Sequence, residues 1–87
     1  MRADQQKVVR LLKTARGQID GLLRMVEEDR YCIDIANQLL ATEALLRTTN
    51  RLVLRGHMEG CLREAIEQGD ADAKIEEMMG IINRLSR

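Results

Sequence analysis

Cys32, His57 and Cys61 are the side chains with most chemistry to offer in this chain, which has two cysteines and one histidine in 87 residues. His57 and Cys61 stand four apart, a spacing that stacks them on one face of an α-helix. Two thiolates and an imidazole form a soft to borderline donor set. It suits Cu(I), which accepts three ligands, and is one short of a closed tetrahedral zinc site. The spacing lacks the paired C-x₂₋₄-C of a zinc finger, and the scarcity of carboxylates around it disfavours Mg²⁺, Ca²⁺ and Mn²⁺. Two other readings of the pair stay open. One is a surface histidine beside a packed thiol. The other is a thiolate activated by an imidazolium, as in a redox or persulfide sensor or a cysteine nucleophile. A hydrolase is the weakest of these, since no G-x-S-x-G and no orienting acid at a recognisable spacing accompany the pair.

Geometry then constrains the triad. Cys32 lies 25 residues before His57, and residues 33–55 contain no Gly or Pro. If Cys32 begins that helix, about 1.5 Å per residue separates it from His57 by roughly 37 Å. One straight helix cannot bring all three to one ion. A second copy running antiparallel can, with the helices crossing near Leu45, so the spacing predicts a dimer with ligand sites at its interface.

Three helices are expected to position these residues. The first spans about 4–28, with Asp4 as N-cap and a heptad seam of Val8, Leu12, Ala15, Ile19, Leu22 and Val26. Gly17 and Gly21 weaken it, but their spacing allows close helix approach. Glu27-Glu28-Asp29-Arg30 is read as a solvated turn. The second helix spans about 32–66, apolar through Ile33, Ala36, Leu39, Leu40, Ala44 and Leu46; such length calls for a partner along it. Gly56 and Gly60 flank His57 and allow a bend there, and Gly69-Asp70 is the next turn. The third spans about 71–85, with Ile75, Met78, Ile82 and Leu85 on one face, Asp72 in its first turn, and Arg84 and Arg87 suited to its last. Met78 and Met79 read as packing residues rather than thioether ligands.

The composition agrees with an all-α chain: 45% hydrophobic, 32% charged, no Pro, Trp or Phe, and Tyr31 as the one aromatic. A chain this short makes one domain, residues 1–87, that needs help to bury a core. No secretory segment or membrane span is evident, so the chain is expected in the cytoplasm, where cysteines serve as thiols or ligands. The net charge of zero hides segregation: residues 1–24 carry +4, 25–46 carry −4, 47–63 carry +3 and the remainder −3.

Arg16-Gly17-Gln18-Ile19-Asp20-Gly21-Leu22-Leu23-Arg24-Met25, then Tyr31-Cys32, Asn50-Arg51 and Gly56-His57 through Cys61, resemble the CsoR/RcnR family of bacterial metal-sensing repressors, specifically its copper-sensing branch. The resemblance covers nearly the whole chain. It implies an all-α, three-helix protomer, an antiparallel dimer with a four-helix-bundle-like core, and a disc-shaped homotetramer. It implies Cu(I) as effector, held by Cys32, His57 and Cys61 from two protomers. Tyr31 and Glu77 fall where relatives place partners of the ligand histidine, a contact that orients the ring and carries binding to the third helix. Nickel and cobalt sensors of the family tend to carry His at the position of Cys61, and persulfide sensors lack the histidine.

The resemblance also implies operator DNA as partner, with no helix-turn-helix. Lys7, Arg10, Lys13, Arg16, Arg47 and Arg51 are the candidates for phosphate contact, a role that makes binding salt-dependent; the bland reading is a solvated face. Leu11 stands where some relatives have Arg. The implied function is a non-enzymatic repressor that binds its operator as the apo form and releases it on Cu(I), derepressing copper-efflux genes. The alternatives are a persulfide or thiol-reactive sensor of the same fold and a metal-storage protein without DNA function.

Overall fold

The computed structural model describes residues 1–85, with side chains through residue 84. Arg87, expected as a last-turn charge, and the side chain of Leu85, expected on the apolar face of the third helix, lie outside the described residues. Three helices follow one another: α1 Gln5–Glu27, α2 Cys32–Gln68 and α3 Ala71–Leu85. The body is long and flat, 57 × 27 × 12 Å, because α2 alone is 37 residues, about 55 Å at the α-helical rise.

Local chemistry sets the boundaries. Asp4 caps α1 by accepting from the Lys7 N–H at 3.2 Å, which satisfies one of the first-turn donors. Asp29, with φ of 53°, makes the tight turn into α2, a conformation that Asp tolerates better than most residues. Gly69, with φ of 74°, closes α2 and donates its N–H to the Ala65 carbonyl, the usual left-handed stop.

α1 lies antiparallel along α2. The buried residues of α1 are Val8, Ala15 and Leu22, seven apart, and those on the matching stretch of α2 are Thr42 and Thr49, also seven apart. The threonines sit in this seam because their hydroxyls are satisfied. Thr42 donates to Gln18 Oε1 at 2.7 Å, with the Gln38 carbonyl at 3.1 Å as alternative acceptor. Thr49 donates to the Leu45 carbonyl at 2.8 Å. Buried hydroxyls without such partners would oppose folding.

The expected heptad seam is therefore only half used within one protomer. Leu12, Ile19 and Val26 remain exposed, as do Ile33, Leu39, Leu40 and Leu46 of α2. Two expectations for the glycines change. Gly17 has no neighbour within reach of an added Cβ and Gly21 meets only the end of Arg24, so neither gives close helix approach within the protomer. α2 runs through Gly56 and Gly60 uninterrupted; these glycines instead seat the segment ahead of α1, with Ala3 against Gly56 and Arg2 against Gly60.

Candidate functional site

His57 and Cys61 stand on successive turns of α2, with Cβ atoms about 6 Å apart in such a pair. Cys61 is buried, while His57 is exposed. α3 folds back beside Cys61: Lys74 of α3 lies near enough to feel both Glu77 and Cys61, and it bonds Glu77 at 3.5 Å. The Glu77 carboxylate first, and then Cys61, hold the Lys74 ammonium above its usual range.

Cys32 is exposed at the first residue of α2, with Tyr31, also exposed, as the N-cap residue. Because the helix is unbroken, Cys32 is about 37 Å from His57 in the same chain. Among the described residues no group of three His, Cys, Asp or Glu side chains gathers into a metal site within one protomer. Tyr31 and Glu77 are likewise separated, the first beside Cys32 and the second on α3.

Yet the three candidate ligands share a face. Twenty-five residues are about seven helical turns and twenty-nine about eight, so Cys32, His57 and Cys61 project from one side of α2. Between them runs a four-three row of Cys32, Ala36, Leu39, Glu43, Leu46, Asn50, Val53 and His57. All but Val53 are exposed, Leu39 by 53% and Leu46 by 43%.

Several carboxylates on α2 and α3 are held in ion pairs. Glu59 is paired with Arg55 at 3.0 Å, Glu64 with Arg2, and Glu77 with Lys74. The His57 imidazole and the Cys61 thiol, a nitrogen and a sulfur, are donors that suit soft to borderline ions.

The basic candidates divide. Lys7 and Arg51 line one shallow groove of about 210 Å³ between α1 and α2, together with Leu11, Thr48, Leu52 and Arg55. Arg10 and Lys13 line a neighbouring groove on α1. Arg16 is exposed farther along α1, and Arg47 pairs with Glu43 at 3.0 Å. Arg55 joins Lys7 and Arg51 in lining the groove between α1 and α2, and the i, i+4 row of Arg47, Arg51 and Arg55 is the sequence signal for it. Lys74 could have been found from its spacing of three to Glu77. Arg2 carries no comparable sequence signal, since its partner Glu64 is remote in the chain.

The chain is all-helical with a Cys/His pair on a long central helix, and comparison with known proteins supplies the class to which such a chain belongs. The family described as metal-sensitive transcriptional repressor matches residues 4–84, and the chain belongs to it. It is a family of repressors, not of enzymes. The copper-sensing transcriptional repressor CsoR of Mycobacterium ulcerans is 42% identical over 71 residues, which is 82% of this chain and 61% of that protein. The chain thus spans less than two thirds of that relative's length. Among solved structures, the Cu(I)-bound copper-sensing repressor CsoR from Geobacillus thermodenitrificans superposes with a TM-score of 0.83 at 34% identity, covering 94% of this chain and 85% of that one. The nickel-responsive transcriptional regulator InrS matches with the same TM-score at 29% identity, covering 98% and 96%. No helix among the described residues is long and apolar enough to cross a membrane.

Proposed function

We propose that this chain is a Cu(I)-responsive transcriptional repressor of the cytoplasm, with residues 1–87 acting as one metal-sensing and DNA-binding unit. The observation that carries the reading is the common face of Cys32, His57 and Cys61 at opposite ends of an unbroken α2. Two α2 helices pairing antiparallel along that face, crossing near Leu45, bring the Cys32 end of each to the His57–Cys61 end of the other. The exposed Leu39 and Leu46 give such a pairing its apolar contact, and the remaining apolar residues of α1 support a further pairing to a tetramer.

In this reading Cys32 from one protomer and His57 and Cys61 from the other hold Cu(I). Tyr31 travels with Cys32 to the partner's site, where it and Glu77 orient His57. Lys7, Arg10, Lys13, Arg16, Arg47 and Arg51 neutralise operator phosphates in the apo form. Cu(I) lowers the DNA affinity and derepresses copper-efflux genes, and linkage requires that operator DNA weaken Cu(I) binding by the same factor. Copper-sensing relatives support Cu(I), while the nickel-responsive neighbour makes metal identity a point for measurement.

Titration of Cu(I) against a tight chelator, with X-ray absorption and operator binding on the same sample, tests this. Two sulfurs and one nitrogen at three-coordinate distances, with loss of operator affinity, are expected. A metal shell dominated by oxygen, or equal Cu(I) affinity with and without operator, rules the reading out. The exposure of the Cys32 thiol favours one second reading, a persulfide or thiol-reactive sensor of the same fold. His57→Ala separates the two: the copper response collapses, whereas a thiol-based response largely survives.

A further inference from the structure

The segment ahead of α1 lies in a groove built for it. Gly56 and Gly60 stand one turn apart on α2, and Glu64 continues the row one turn on. A methyl added to Gly56 would sit 2.7, 2.8 and 2.9 Å from the Ala3 Cα, N and Cβ. Those atoms are backbone or fixed to it and have nowhere to swing. At Gly60 the Arg2 side chain fills the same space, with its Cδ 2.6 Å from where a Cβ would stand, and its guanidinium reaches on to an ion pair with Glu64. Asp4 then caps α1 through the Lys7 N–H, and its carbonyl accepts from the Val8 N–H at 3.1 Å.

This arrangement joins two parts of the molecule that the functional reading must connect. The row Gly56, Gly60, Glu64 is displaced by one residue from the row His57, Cys61, so a shift of the ligand-bearing turns moves the seat with it. The other end of the segment is the cap of α1, and Lys7, the first basic residue of that helix, is bonded to the cap itself. Between the ligand end of α2 and the basic start of α1 there are three residues.

We infer that Arg2, Ala3 and Asp4 form a latch that couples the ligand-bearing end of α2 to the basic start of α1. This rests on the copper-responsive reading proposed above. Helix propensity gives glycine no reason to stand at positions 56 and 60, where Ala would make a stronger helix; the seat gives it one. Gly56→Ala therefore keeps the helix and evicts Ala3. Arg2→Ala removes the ion pair without touching α2.

The test measures hydrogen exchange at the amides of residues 5–8, Cu(I) affinity, and operator affinity with and without Cu(I), for the full chain and both variants. In Gly56→Ala the first-turn amides exchange faster and the ratio of operator affinities without and with Cu(I) shrinks at least about fivefold. Arg2→Ala moves both in the same direction by less. Unchanged exchange in Gly56→Ala overturns the latch as a physical contact. Faster exchange with an unchanged ratio overturns it as a coupler and leaves a merely structural clasp. If Gly56→Ala loses Cu(I) binding, Arg2→Ala decides by the same criteria. A wild-type chain whose operator affinity ignores Cu(I) overturns the functional reading and the latch together, whereas a responsive wild type beside an equally responsive Gly56→Ala overturns the latch alone.

Discussion

α2 presents two seams of similar period and opposite character. The inner one, against α1, is closed within the protomer: small and apolar side chains of α1 meet threonines whose hydroxyls are bonded. The outer one carries Cys32, Leu39, Leu46 and His57 and is open along nearly its whole length. A helix must be covered where its side chains cannot be satisfied by water. The inner seam therefore defines what one chain folds by itself, and the outer seam is the face that the proposed second copy would cover. In the proposed function Cys32 and His57 lie on the open seam and buried Cys61 one turn beyond, so that metal binding and association would be one event.

The strongest way to break this contrast is to charge the open seam. Leu39→Glu with Leu46→Glu places carboxylates where the proposed partner helix crosses, while both positions already face water in the protomer. The helical content is expected to persist and association to fail. Cu(I) affinity then drops at least about a thousandfold, roughly 4 kcal/mol, because Cys32 no longer reaches the His57–Cys61 end of another chain. Sedimentation equilibrium beside a chelator competition checks it, and a monomer retaining full affinity would refute the shared site.

Disturbing the closed seam should do the reverse. Ala15 is 3% exposed, and Ala15→Leu forces extra volume between α1 and α2 at a cost of about 2 kcal/mol. Thr42→Val leaves the Gln18 side-chain oxygen without its donor, which costs about 1 kcal/mol. Urea unfolding at fixed protein concentration measures both, since association contributes to the apparent stability. The Cu(I) stoichiometry of the folded fraction should not change in either variant. A loss of metal without a loss of stability would mean that the two seams are not separable.

The two seams were not equally legible in the sequence. Helix limits emerged within two residues, because Asp4, the 27–30 turn and Gly69 are local signals with local causes. The heptad of α1 was visible, but periodicity states only that Leu12, Ile19 and Val26 want cover, not whether the cover lies in the same chain. The distance between Cys32 and His57 was computable, and their common face became firm only once α2 proved continuous across Gly56 and Gly60. Those two glycines read in the sequence as a place where the helix could bend, and nothing there shows that they seat another segment. Their purpose depends on Arg2 and Ala3, more than fifty residues away in the chain, and no periodic pattern records a contact with a non-helical segment.

A smaller effect sharpens the comparison at the edge of the site, where α3 meets α2. Glu77 and, after it, Cys61 raise the Lys74 pKa above 10.5. A group whose folded pKa is raised stabilises the fold while it is charged in both states, below its unfolded value, and that contribution fades as pH climbs through the folded value. A double-mutant cycle of Lys74→Met and Glu77→Gln should show a small favourable coupling at pH 7, as expected of an exposed pair three residues apart on a helix. The coupling should hold to about pH 10 and then vanish as Lys74 discharges. Added salt should weaken it at neutral pH. A coupling that survives above the folded pKa would mean that Lys74 and Glu77 interact through packing rather than charge, and would make the α3 contact an extension of the closed seam.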